Sequence, residues 1–423
     1  MQLVEQTIIS KSDPRFAAID AASFAAKNLY NLALYEVRQS FLHEGIYLDN
    51  VQVYHRVKHT EAYQALPRKV SNDILRQLHK NWVAFFEEGK AYKQDPSTFT
   101  GRPKPPKYKD KTNGRFLLTY DQQAISKKAL KRGMLAPSGL GIEVPTEQTA
   151  VKQARIVPRS RFYVVEVVYE RKEQAPRGDP DLHASIDLGV DNLAAITSNK
   201  AGFVPRLVNG RPMKSTNQWY NKRRAELQSK LGHPGTTARM ERLTTKRNRR
   251  INQYMHTASK RIIELLGEEG IGTLIVGKNP LWKHKVEMGK RNNQTFVQIP
   301  HARFIDLLRY KAELAGIRFL EQEESYTSKA SFFDLDEIPT YDPKRTEQPH
   351  FSGKREHRGL YRAANVRRIN ADVHGSMNIG RKAVPHSARH GVEARAVAPV
   401  WLPVFTVCQP RALTDAGSVL TDL

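Results

Sequence analysis

Cysteine is almost missing: Cys408 is the only one in 423 residues. That excludes a disulfide framework and any zinc site built from cysteine thiolates, and it is compatible with a reducing compartment. No run of about 18 apolar residues occurs, so no membrane span is expected. The start, MQLVEQTIIS, has no charged opening followed by an apolar stretch, so no secretory leader is expected. Acidic residues are also short, 43 Asp and Glu against 68 Lys and Arg, leaving a net charge of +25 and a pI near 10.0. A surplus that large in a folded chain points to a polyanionic partner, nucleic acid first. An anionic membrane is the alternative, but no basic amphipathic helix stands out. What is present is enough apolar residue, 39%, for real cores. The length suggests two to four structural units.

Along the chain, residues 2–10 alternate like a strand. From Ala17 to about His43 the apolar positions Leu29, Leu32, Ala33, Val37 and Phe41 recur at helical spacing. Val70, Ile74, Leu78, Trp82, Phe85 and Phe86 mark a second helix, with Ser71 or Asn72 as its cap. Gly101 to Arg115, GRPKPPKYKDKTNGR, is kept extended by its prolines. It reads as a solvated linker or as a basic arm along a nucleic-acid backbone, with Arg102, Lys104, Lys107 and Lys109 clustered around Tyr108. Strands return over 116–172, where RFYVVEVVYERKE alternates. Helices therefore interrupt a small barrel or sheet. Trp82, Tyr120 and Tyr163 read as core residues rather than base-stacking platforms.

APRGDPD, Ala175 to Asp181, marks a boundary. HASIDLGVDNLAAITS then reads as strand, tight turn, strand. A basic helical region follows from about Ser215 to Leu266. Next come a TLIV strand, a helix from about His301 to Ala315 stopped by Gly316, an IRFLEQ strand and a last helix near Asn370. That alternation argues for an α/β domain. Two clusters, Lys222, Arg223, Arg224 and Lys246, Arg247, Arg249, Arg250, are either solvated helix faces or contacts to nucleic-acid phosphates. Lys283 and Lys285 lie in a polar loop that could touch a substrate strand. The tail after Pro385 has weak periodicity and is expected to be disordered.

Two acids carry a chemical reading. Asp187 ends an apolar strand just before a glycine turn, where a carboxylate is costly unless paired or metal-bound; otherwise it caps a turn. Asp372 sits at the first turn of the last helix, where the dipole favours any acid. Two-metal nucleases need carboxylates from separate elements converging within about 4 Å of a metal pair, and Mg²⁺ suits such oxygen donors.

These segments resemble a known family. SIDLGVDNLAAITS, VGKNPLWKHKVEMGKRNNQTFVQIPHARFIDLLRYKAELAGI, EESYTSKASFFD, FSGKREHRGLY and INADVHGSMNIGRKAVP are similar to the RuvC half of TnpB, the transposon-encoded RNA-guided DNA nuclease. LPRKVSNDILRQLHKNWVAFF and GRPKPPKYKDK resemble its N-terminal half. The resemblance covers roughly residues 1–395. It implies an α+β multidomain chain. A wedge-like β-barrel would span 1–16 and 95–175, with a helical recognition insert at 17–94. An α/β RNase H-like RuvC domain would span 180–384, with a helical insertion at 214–268. The tail would be 385–423. It further implies a guide RNA from the transposon end, a double-stranded DNA target beside a short motif, two Mg²⁺ ions, no membrane, and a prokaryotic cytoplasmic, nucleoid-associated setting. Pairing would read sequence while protein reads duplex shape.

Two departures from the family pattern set expectations. The region 325–370 lacks the family's zinc-binding cysteines, and Ser331 and Asp334 stand at the first pair; we expect a degenerate finger without zinc. The strand LIVGKN ends in Gly277 where the family carries a catalytic glutamate, and Lys278 has the wrong charge. Either cleavage is lost, leaving an RNA-guided binding protein or a transposition accessory, or the carboxylate has moved. FLEQEESYTSK supplies Glu323 and Glu324. Side chains alternate along a strand, so one of the two faces the metals. The expected triad is Asp187, Glu324 and Asp372, with Glu323 as the alternative. Arg368 is a candidate neighbour of the scissile phosphate.

Overall fold

The computed structural model describes residues 1–279, 294, 296–342, 348–357, 359–364, 367–385 and 398–404. The chain divides into two compact units, Met1–Lys172 and Glu173–Leu423. It is a mixed α+β protein.

The first unit opens with strand β1 (Gln2–Ser10) and helix α1 (Phe16–Gln39), then α2 (Asn50–Val57), α3 (Glu61–Gln64) and α4 (Arg68–Gln94). Asp49 starts α2 through a complete capping box with Gln52. Short pieces follow: β2 (Leu118–Asp121), α5 (Lys127–Leu130), β3 (Met134–Leu135) and β4 (Val144–Pro145). The long pair β5 (Val151–Pro158) and β6 (Phe162–Glu170) closes the unit. The sheet order is β1-β6-β5-β2, antiparallel throughout. The expected barrel is therefore an open four-stranded sheet among the described residues. The reason lies in what covers it. Ile9, Leu118, Tyr120, Ala154, Ile156, Tyr163, Val165 and Val167 share one core with α1 and α4, including Leu29, Leu34, Ile74, Leu78 and Trp82. Helices take the apolar face that barrel closure would otherwise seal, and β2, with four residues, is too short to reach around to β1. Trp82, Tyr120 and Tyr163 are buried there, as read from the sequence.

The segment 101–115 runs irregularly beside α1. Asn31 of α1 holds Lys109 by both backbone groups, at 2.8 and 2.9 Å. Arg38 stands 5.3 Å from the Tyr108 ring, and Lys109 lies over the rings of Tyr30 and Phe116. Arg102, Lys104 and Lys107 are exposed.

The second unit is built on a six-stranded sheet. Its strands are β7 (Asp179–Leu188), β8 (Asn192–Ser198), β9 (Arg206–Asn209), β10 (Ile271–Gly277), β11 (Arg318–Gln322) and β15 (Val400–Trp401), in the order β11-β10-β7-β8-β9-β15. β7, β10 and β11 run parallel, so their carboxyl ends lie side by side. Helices α6 (Arg211–Leu231) and α7 (Ala238–Glu268) form a hairpin between β9 and β10, and α8 (His301–Leu314) links β10 to β11. Ala184, Ile186 and Leu188 of β7 face α7 and α8 in one core. The opposite face, with Ser185 and Asp187, receives α9 (Ala371–Ala383). Before α9 lie three short antiparallel strands, β12 (Lys354–His357), β13 (Leu360–Arg362) and β14 (Arg368–Asn370).

Within the tail, Val400–Trp401 forms β15, paired parallel to β9, with Leu402 and Val404 packed on the core. A two-residue edge strand carries no periodicity to read. The rest of the tail lies outside the described residues. No described helix is long and apolar enough to cross a membrane.

Candidate active site

Three acids converge at the carboxyl ends of the parallel strands. Asp187 is the penultimate residue of β7, and its neighbours Ile186 and Leu188 point into the opposite core. The strand period turns it toward α9. Gly375 on α9 permits the approach, because a Cβ there would lie 2.6 Å from Asp187 Oδ2. Burial pushes the Asp187 carboxyl well above the ordinary range, and the charges of Glu324 and Asp372 push it further; Arg355 opposes them.

Asp372 lies in the first turn of α9, where Asn370 caps the helix by accepting from the backbone N–H of Asp372 and Val373. Its Oδ2 accepts from Asn192 Nδ2 at 2.6 Å, and Arg355 stands 3.7 Å from its Oδ1. The first residue of β8 thus holds the carboxylate of the last helix.

Glu324 arrives from the third strand. β11 ends at Gln322, paired with Gly277 of β10, and the backbone then turns sharply. Thr327 donates from its N–H and its hydroxyl to Glu324 O, Tyr326 takes a left-handed φ of 64°, and Asn378 of α9 ties Thr327 O down at 2.9 Å. This turn aims Glu324 across the end of β10. A Cβ on Gly277 would meet Glu324 Oε2 at 2.5 Å and Ile379 Cδ1 at 2.5 Å, so the carboxylate occupies the space a side chain at 277 would need. Asn279 binds Glu324 twice, donating to Oε1 at 3.5 Å and accepting from its N–H at 3.2 Å. Among the described residues, Oε2 is buried with no hydrogen-bond partner. Burial, with the neighbouring Glu323 charge, raises the Glu324 carboxyl to about 7.

Glu323 points elsewhere. It takes an ion pair from Lys382 of α9 and a hydrogen bond from Ser325 N–H at 2.7 Å. Burial acts to raise its pKa, but these bonds together hold it below the usual value. Lys278 likewise leaves the site, donating to Glu321 Oε2 at 2.8 Å.

Behind Asp372 sits a neutral imidazole. His374 stacks on Tyr361 at 3.8 Å and accepts from Phe332 N–H at 3.1 Å. Burial, aided by Arg381, lowers it to about 3. The region 325–370 is tied by carboxylates. Asp334 Oδ2 accepts from the hydroxyls of Ser331 and Ser352 and from Ala364 N–H, at 2.5, 3.1 and 2.9 Å. Asp336 accepts from the N–H groups of Ser331 and Ser352 and from the Ser352 hydroxyl.

The basic residues divide. Arg247 is half-buried, bonded to Asn217 and to Gln298 O, and Arg223 pairs with Glu226 at 2.6 Å. Arg224 bonds the Tyr220 hydroxyl. Lys222, Lys246, Arg249 and Arg250 are exposed. Arg368 pairs with Glu356 at 2.9 Å rather than facing the acids; the cation beside them is Arg355. The β12–β13 hairpin decides this, and nothing in the sequence announces it. Asn192, at the start of β8, and Asn279, just after β10, are lone amides that no sequence pattern marks. Lys283 and Lys285 lie outside the described residues.

Among the described residues, no three His, Cys, Asp or Glu side chains stand in a metal-holding array. A buried carboxylate oxygen without a partner among the described residues, and an Asp whose carboxyl is raised by burial and by neighbouring acids, are donors suited to a divalent oxygen-seeking cation.

Comparison with known proteins gives this site its setting. The OrfB_IS605 model, described as a probable transposase, matches residues 166–282, which carry Asp187 and Gly277. The Cas12f1-like TNB domain matches residues 301–379, which carry Glu324 and Asp372. The TnpB-like protein ORF457 of Acidianus two-tailed virus is 24% identical over 86% of this chain and 82% of its own length. These matches make the chain similar to TnpB-type proteins across its second unit and, through the viral relative, over most of its length. Among solved structures, the Cas12f1–sgRNA–target DNA complex covers 86% of this chain and 82% of its own, with 16% identity and a TM-score of 0.49. The mini-RNA-guided endonuclease CRISPR-Cas_phi3 covers 91% and 92%, with 9% identity and a TM-score of 0.43.

Proposed function

We propose that this protein is an RNA-guided DNA endonuclease that hydrolyses phosphodiesters with Mg²⁺ at Asp187, Glu324 and Asp372. The observation that carries the reading is the buried Oε2 of Glu324, without a partner among the described residues and aimed into the space above Gly277. A chain that had abandoned cleavage would have no use for a carboxylate there, since leaving one buried and unpaired costs stability. The glutamate has moved from the end of β10 to the turn after β11. When bound, the metal ions would supply charge neutralisation at the phosphate and activation of water.

The protein's own groups have distinct tasks. Burial raises the Asp187 and Glu324 carboxyls, with the charges of Glu324 and Asp372 adding to the first and that of Glu323 to the second; their oxygens would hold the cations. Asn192 and Asn279 hold Asp372 and Glu324 in rotamers that face the site. Arg355 offsets part of the acid charge and is exposed enough to meet a phosphate. The guide RNA and target DNA are the partners that a +25 chain neutralises.

Co-purification with its RNA and incubation with a matching plasmid and Mg²⁺ tests this. Linearisation that vanishes in Asp187→Ala and in Glu324→Ala supports the assignment. Guided binding with no cutting by the wild type would establish a binding protein instead. Loss in Glu323→Ala with full activity in Glu324→Ala would reverse the choice of neighbour.

A further inference from the structure

The α6–α7 hairpin carries an aromatic residue that its packing does not need. Met213, Asn217 and Tyr220 are the buried residues of α6. Trp219 lies off that face, with 41% of its surface exposed. Two cations from α7 flank the ring, Lys246 at 5.8 Å and Arg250 at 6.0 Å from its centroid. Both are exposed, as is Lys222 one turn along α6. An exposed indole among cations from two helices is poor protein packing. It is a surface for an unpaired nucleobase, with phosphates on either side.

The anchoring of α6 narrows the occupant. Gly210, which precedes the helix, packs against Val190 O, and its N–H bonds Asp191 O at 2.8 Å. Lys214 pairs with Asp191 at 2.7 Å, and the next residue, Asn192, holds Asp372. Helix α6 therefore rises from the turn that carries the carboxylate site. Trp219 is five residues past Lys214, roughly 7–8 Å along the axis, a span of one or two nucleotides of single strand. We infer that Trp219, with Lys246 and Arg250, is a stacking platform for an unpaired nucleotide of the DNA strand that enters the carboxylate site. This rests on the nuclease reading above and adds the contact that guides the strand.

The test uses the protein with its guide RNA and a fluorescent oligothymidylate, without divalent metal, so that binding is read apart from cutting. Trp219→Ala is expected to weaken oligothymidylate binding by about tenfold, and Trp219→Phe by no more than about threefold. Guide-RNA affinity stays unchanged in both. Lys246→Gln/Arg250→Gln is expected to lower the salt slope of DNA binding by about two, and it decides the matter if Trp219→Ala fails to fold. Unchanged DNA binding in Trp219→Ala, an equal loss in Trp219→Phe, or a loss confined to guide RNA would overturn the platform. Failure of the nuclease reading looks different: the wild type binds the oligonucleotide but leaves a guide-matched plasmid uncut when Mg²⁺ is added.

Discussion

Glycine at 277 is the residue on which the site turns. Its missing Cβ is the space that Glu324 Oε2 fills, so the smallest addition is the sharpest probe. Gly277→Ala is expected to lower cleavage by about tenfold or more with guided DNA binding intact, measured by single-turnover cutting beside a binding titration. Equal activity would mean that Glu324 does not need this space. Glu323→Gln should do the reverse. Losing the Lys382 pair costs about 1–3 kcal/mol of stability, because Lys382 is nearly buried, while cutting stays within a few-fold. A thermal melt beside the cleavage assay separates the two. The sequence narrowed the ligand to two adjacent glutamates and went no further. Strand alternation stops at Gln322, and the left-handed Tyr326 that fixes the turn belongs to no residue type that favours it.

Whole elements were easier to read where burial is one-sided and long. α1, α4 and α7 each expose a period over many residues, and the structure places helices there. Whether a sheet closes depends on what covers its face, which no local pattern encodes; hence the open sheet where a barrel was expected. The clasp around Asp334 is of the same kind: its partners Ser352 and Ala364 lie 18 and 30 residues away. Asp334→Ala strips three donors of their acceptor and is expected to cost about 2 kcal/mol. A strong chelator should leave the wild-type melting temperature unmoved; about one tightly bound zinc per chain in elemental analysis would refute a metal-free clasp. The contact of α7 with α8 carries a pH signature. Lys311 donates to His256 O and Ser259 Oγ, and burial lowers its pKa from 10.5 to about 8. The unfolded chain then binds the extra proton between these values, so stability rises with pH from about 8 to about 10.5 and levels off below. Lys311→Met should flatten that rise in denaturant midpoints; parallel curves would show that the lysine is solvated.

At the scale of the molecule, the charge of +25 is not spread evenly in its use. Arg223 is paired internally, Arg247 is bonded into the hairpin, and Lys109 sits over the rings of Tyr30 and Phe116. These shape the protein and have little to give a phosphate. Arg102, Lys104 and Lys107 are exposed on the segment whose backbone Asn31 holds in place, so neutralising a phosphate there orders little further chain; Lys109 is exposed too but lies over two rings. Each such contact releases condensed counter-ions and steepens the fall of affinity with salt by about one unit of slope. Replacing all three by glutamine is therefore expected to lower the slope of log affinity against log salt by about three for the guide RNA or the guided target. Lys109→Gln alone should barely change it. A slope that falls as much for Lys109 as for each of these three would mean that internal contacts do not decide which cations this chain offers to nucleic acid.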